Sequence, residues 1–132
     1  ILDGDQIIFD SKILNPEISK SGYSCVWTED LTSEWLLSVN EKDVVVSCSR
    51  NGGKNGWQLF SISRWTRKDG EKLKLLIEKE FMEKKNTQNY WDDVAMFCYP
   101  QEFELTIYPI NKKDIIEIDN FEELCEIDES YK

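Results

Sequence analysis

A mixed β-sheet carrying helices, of the α/β (α+β-like) class, is the architecture this 132-residue sequence predicts. Segments with strand-like alternation come first, helical periodicity arrives late, and the two do not alternate as they do in a complete doubly wound fold. No internal repeat, low-complexity stretch or Pro/Gly linker divides the chain, so residues 1–132 read as one unit.

Residues 1–9 read as a strand running into a turn at Gly4, followed by a short helix or loop near 11–20 that Pro16 interrupts. After the punctuation of Ser21-Gly22, Tyr23–Thr28 reads as a strand. Glu34–Val39 and Asp43–Ser49 are two further strands, joined by Asn40-Glu41-Lys42, a connection of hairpin length. The run 50–56 is rich in Gly and Asn, which tolerate positive φ, and reads as a turn into a strand over Trp57–Trp65. That run lacks the order of a phosphate-cradling loop, so Arg50 or Lys54 is at most a weak phosphate contact.

Thr66 is placed to cap a helix with Asp69 three residues on. Leu73, Leu76, Ile77 and Phe81 recur at helical spacing, and Lys84-Lys85 fall where the macrodipole favours cations. A second helical stretch spans Tyr90–Phe97 and stops before Pro100. Phe103, Leu105 and Ile107 alternate as a strand ending at Pro109, and Ile115–Asp119 is the last strand. Asn120 then opens a final helix with Phe121, Leu124 and Cys125 on one side.

Composition excludes whole classes of function. The net charge is −10, from 26 acidic and 16 basic residues, and no basic stripe exists to neutralise nucleic-acid phosphates. There is no histidine, which removes Ser-His and Cys-His nucleophilic schemes and the usual transition-metal sites. No apolar run is long enough to cross a bilayer. Cysteines 25, 48, 98 and 125 never form C-x-x-C and mostly sit in apolar segments, so four reduced, buried thiols in a cytoplasmic protein are expected. The opening at Ile1 suggests a chain cut or processed from something longer. Ser61 and Ser63 have no base in any recognisable arrangement and are discounted as nucleophiles.

Two features could carry chemistry. Alternation puts Asp3 and Asp5 on one face of the first strand, and Glu117 and Asp119 on one face of the last. Asp5 and Asp119 converging from strand ends would suit Mg²⁺, which takes one or two carboxylates plus substrate phosphates. On spacing alone, an ordinary acidic turn and a helix-start carboxylate account for them better, since Asp-Gly turns are common. The second feature is five tryptophans, of which Trp35 follows Glu34 and Trp91 precedes Asp92-Asp93. Indole faces beside carboxylates attract organic cations, although any single Trp is more simply a core residue.

The ordered set Leu2-Asp3-Gly4-Asp5, Ser33-Glu34-Trp35, residues 61–66 (Ser-Ile-Ser-Arg-Trp-Thr), Tyr90-Trp91-Asp92-Asp93, Ile116-Glu117-Ile118-Asp119 and Phe121-Glu122-Glu123-Leu124 resembles the bacterial phosphocholine cytidylyltransferases and related sugar-phosphate nucleotidyltransferases. The resemblance runs over nearly the whole chain. It implies the C-terminal, acceptor- and metal-binding portion of a nucleotide-diphospho-sugar transferase fold. The implied reaction joins a nucleoside triphosphate, CTP by resemblance, to a small phosphate monoester with Mg²⁺ and releases pyrophosphate. Matched to the family pattern, Asp5 and Asp119 are the metal-binding aspartates, and Glu34, Trp35, Trp91 and Asp92 grip a choline-like or sugar-like head group. Family members open with a strand and a Gly-rich loop carrying a basic residue; this sequence holds no such segment, so the chain alone is expected to be inactive. Gln6 stands where relatives often place Asn. Two other classes compete: a non-catalytic Trp-rich ligand-binding module, and a small acidic, immunity-type partner of a basic protein.

Overall fold

The computed structural model describes residues 1–15 and 17–132, together with every side chain in that range except that of Ser61. The expectations placed on Pro16 and on the Ser61 hydroxyl lie outside the described residues.

Alternation along the central strands builds a sheet with both faces covered. Five strands, β2 (Gly22–Thr28), β3 (Leu36–Val39), β4 (Val45–Ser49), β5 (Gly56–Arg64) and β6 (Thr106–Pro109), lie in the order β4-β3-β5-β2-β6. Only β2 and β6 run parallel; the other pairings are antiparallel, so the sheet is mixed. Tyr23 and Cys25 of β2 and Leu59 of β5 enter one core, with Leu37, Leu73 and Val94. Their neighbours Phe60 and Ile62 point the other way, into a smaller core with Ile13 and Ile115. A period of two with apolar residues on both faces is what a sheet buried on both sides requires. The edge strands also meet at one end: Val44 bridges Thr106, and Val45 N donates to Leu105 O at 2.9 Å.

A separate two-stranded ladder pairs β1 (Gln6–Ile8) with β7 (Ile115–Glu117), antiparallel and in the register Gln6–Glu117. The first strand is shorter than its sequence suggests, because Gly4 and Asp5 form a turn. The alternation expected to place Asp3 and Asp5 on one strand face therefore does not operate there. Glu34 and Trp35 likewise precede β3, and β7 ends at Glu117, two residues before Asp119.

Helix α1 (Arg67–Glu78) begins where the capping pattern places it, with Asp69 N donating to Thr66 Oγ1 at 3.2 Å. It runs into a π-helical turn, Lys79–Glu83, whose buried Glu80 accepts from Lys84 Nζ at 2.5 Å, Tyr99 OH at 2.7 Å and Asn86 Nδ2 at 3.1 Å. These bonds, that from Lys84 first, hold the Glu80 carboxyl down at about 2. Lys84 is thus spent on a specific carboxylate as well as on the helix end. Helix α2 (Trp91–Asp93) continues as a π-helical stretch, Val94–Cys98, before Pro100. In α3 (Phe121–Ile127) the Asn120 side chain accepts from Glu123 N at 3.0 Å. Phe121 is exposed, while Leu124 and Cys125 are half-buried. All four cysteines are free; Cys25 is buried, but Cys48, Cys98 and Cys125 are only half-buried, short of the expectation. Among the described residues no helix is long and apolar enough to cross a membrane.

Gly22 marks the tightest strand contact. A Cβ there would sit 2.0 Å from the Thr106 carbonyl oxygen, which belongs to backbone and cannot swing aside. Gly22→Ala should cost about 1–3 kcal/mol or more, as overpacking does, and urea denaturation should show a lower midpoint at unchanged slope. An unchanged midpoint would mean that β2 and β6 separate freely.

Candidate functional site

The β1–β7 ladder brings the two acidic segments of the sequence together. Ile118 N donates to Asp5 O at 2.8 Å, so Asp5 lies against the residue that precedes Asp119. Asp119 is itself fixed by its own amide, which donates to Glu123 Oε2 at 2.8 Å in the first turn of α3. Between them stands Glu117, half-buried at the end of β7.

Beside this junction opens a cavity of about 400 Å³. Its lining is Leu59, the aromatic walls Trp35, Tyr90 and Trp91, and the carboxylates of Asp3, Asp5, Glu34, Glu117 and the buried Asp92. Five carboxylates and three aromatic rings face this space, and no Lys or Arg is among the residues lining it. A second cavity, about 560 Å³, shares Glu34 and Glu117 with the first and reaches Asp119. The structure thus gathers Asp5, Glu34, Trp35, Trp91 and Asp92 around one space, and leaves Asp119 just beyond Glu117 in the adjoining one.

Local chemistry sets the charge of each group. Burial pushes the Asp92 carboxyl up to about 6, aided by Asp93 and Asp3. Burial likewise pushes Glu117 up to about 7, with Asp5, Asp119, Glu34 and Asp3 adding repulsion in that order. Tyr23, fully buried behind Trp91, has a hydroxyl with no hydrogen-bond partner among the described residues. Burial, then Asp92, raises it well above the ordinary phenol range.

The aromatic walls are held by other rings. Trp91 stacks on Tyr23 at 6.3 Å between centroids and meets Trp65 edge-on at 6.3 Å. Trp35 meets Phe97 at 5.5 Å and Tyr90 at 6.4 Å, both near perpendicular. Trp27 and Trp57 pair with each other instead, at 5.4 Å. Arg50, read from sequence as a weak phosphate contact at most, is committed to Asp93, with Nη2 2.5 Å from Oδ1.

Such a space suits cations. An organic ammonium would meet ring faces and carboxylates together. For a divalent ion the donor set is hard oxygen, and the crowding of Glu117 by Asp5 and Asp119 is repulsion that a cation would relieve. Among the described residues no three His, Cys, Asp or Glu side chains are grouped to hold a metal by themselves. Sequence reasoning left Glu117, Asp3 and Tyr90 out of the site. The Glu117-x-Asp119 spacing was the available signal for the first, the Asp3-Gly4-Asp5 spacing for the second, and the Tyr90-Trp91-Asp92-Asp93 segment for the third.

Comparison with known proteins gives four findings. No family model matches the chain. It is similar to the 2-aminoethylphosphonate cytidylyltransferase of Lancefieldella rimae, 26% identical over 131 residues, covering 99% of this chain and 52% of that protein. It is also similar to the choline-phosphate cytidylyltransferase of Streptococcus pneumoniae, 25% identical over 136 aligned positions, covering 100% of this chain and 56% of that protein. The chain spans about half the length of the curated relatives it matches. A solved structure of CTP:phosphocholine cytidylyltransferase from S. pneumoniae superposes with a TM-score of 0.79 at 23% identity, over 99% of this chain and 56% of that one. The mixed sheet with flanking helices is therefore the cytidylyltransferase fold, matched in part, and the resemblance read from the sequence stands.

The displaced carboxyls make a pH prediction. Between the ordinary glutamate range and about pH 7, the folded chain keeps a proton on Glu117 that the unfolded chain has released. Stability therefore falls as pH rises through that window, and the loss is complete above it. Glu117→Gln should raise the melting temperature at about pH 8 and lose that advantage near pH 5. A gap between variant and wild type that ignores pH would show that Glu117 titrates normally.

Proposed function

We propose that this chain is the acceptor-binding and metal-binding part of a nucleotidyltransferase that joins CTP to a small phosphorylated or phosphonylated amine and releases pyrophosphate. The observation that carries the reading is the cavity itself, whose aromatic walls and uncompensated carboxylates match a cationic head group, in a chain whose relatives are named for choline phosphate and 2-aminoethylphosphonate.

In this reading Trp35, Trp91 and the exposed Tyr90 ring enclose the ammonium end of the acceptor, while Asp92 and Glu34 supply Coulombic attraction. The acceptor's phosphate or phosphonate oxygens then project toward Asp5 and Glu117. Asp5 and Asp119 would hold Mg²⁺, with Glu117 alongside, and the bound ion would supply neutralisation of phosphate charge. An acceptor oxygen attacks the α-phosphorus and pyrophosphate leaves. Nothing in the transfer calls for a covalent intermediate on the protein, which accords with a chain that has no histidine. The side chains bind, orient and exclude water, and alignment with charge neutralisation supplies the rate.

In the whole protein, Asp5→Ala and Asp119→Ala should each lower Mg²⁺-dependent pyrophosphate release from CTP and phosphocholine by about 100-fold or more, with circular dichroism unchanged. Turnover retained by either variant removes that residue from the metal site. Asp92→Asn, which keeps shape and removes charge, should raise the KM for phosphocholine about tenfold and leave kcat within about twofold. A matched fall in kcat would place Asp92 at the reacting centre instead. A flat pyrophosphate assay across nucleotides and phosphorylated amines would favour a binding module without catalysis.

A further inference from the structure

Arg50 does not line the cavity, yet it grips both of the walls that do. It follows Ser49 at the end of β4, on a turn far in sequence from either wall. Its guanidinium carbon lies 4.0 Å from the Phe97 ring centroid and 5.7 Å from that of Trp35. Its Nη2 is bonded to Asp93 Oδ1, and Asp93 uses its other oxygen to accept from Tyr90 N at 2.8 Å. A continuous series of contacts therefore runs from the Trp35 ring through the guanidinium and the Asp93 carboxylate to the Tyr90 backbone.

We propose that Arg50 is a positioning residue for the ammonium site, one that fixes the spacing between the Trp35 wall and the Tyr90-Trp91 wall. The inference rests on reading the cavity as an ammonium site. Trp35 precedes β3 and its carbonyl accepts from Leu59 N at 2.9 Å, while Tyr90 opens α2, so backbone bonds tie each wall to its own element and not the two walls to each other. Apart from this link, the walls meet through edge contacts of Trp35 with Tyr90 and Phe97, which tolerate sliding. A guanidinium suits the task because its plane stacks on rings while its N–H fork reaches a carboxylate in the same plane. Lysine offers the charge without that plane. The pair also compensates itself: the Asp93 side chain is 4% exposed and is neutralised by Arg50. Arg50 is therefore paired with Asp93 and with none of the carboxylates that line the cavity.

The test uses tetramethylammonium as the probe and three chains: wild type, Arg50→Lys, and the double variant Arg50→Met with Asp93→Asn. The double variant removes the buried charge with its partner and keeps an oxygen for the Tyr90 amide, so it remains folded even where Arg50→Lys is destabilised. The readouts are the dissociation constant from titration calorimetry and the ¹⁹F spectrum of 5-fluorotryptophan-labelled protein, with the Trp35 line assigned through Trp35→Phe. Arg50→Lys and the double variant should each bind the probe at least about fivefold more weakly. In both, the Trp35 line should shift and broaden while the lines of Trp27 and Trp57 hold. Wild type that binds, with variants that bind equally or with an unmoved Trp35 line, overturns the role of Arg50 and leaves the ammonium site standing. Wild type that does not bind overturns the ammonium site and this inference together.

Discussion

Like charges repel, and a chain that crowds acidic side chains round one opening has to hold them there by other means. Here the means is backbone. The short ladder between β1 and β7, extended by the bond from Ile118 N to Asp5 O, ties the first acidic segment to the last and sets Glu117 between Asp5 and Asp119. The apolar support beneath it is Ile13, Phe60 and Ile115 in the smaller core, with Ile8 packed against it. Hydrophobic burial on one side of the sheet thus offsets electrostatic strain at its end, and Glu117 takes up part of that strain by holding its proton more tightly.

The opposite wall is built on a different principle. Trp91 leans on Tyr23 and Trp65 in the main core, so its position is set by packing. Trp35 is packed at the margin of that core and meets Phe97 and the cation from the β4–β5 turn. A rigid ring faces an adjustable one.

Much of the fold was legible in the sequence because burial on both faces leaves a clear trace. Tyr23, Cys25, Leu59 and Ile62 alternate as their strands do, the Asn40-Glu41-Lys42 connection became the β3–β4 hairpin, and Thr66 caps α1 as its spacing with Asp69 required. The faces of the site were not legible by the same rule. Period-two alternation holds only inside a ladder, and Asp5, Glu34, Trp35 and Asp119 all lie just outside one. Their convergence came from the resemblance between ordered motifs; the cavity then showed which of them share a space. Arg50 and Asp93, 43 positions apart, carry no local signal at all, since a long-range ion pair leaves no periodicity behind. The meeting of β4 and β6 at Val44 and Thr106 was hidden for the same reason.

A molecule with ten more negative than positive charges, whose opening is ringed by carboxylates, has a kinetic character as well as a shape. A field of that sign draws cations toward the opening faster than anions of the same size, and the bias fades as salt shortens its reach to about 8 Å at physiological strength.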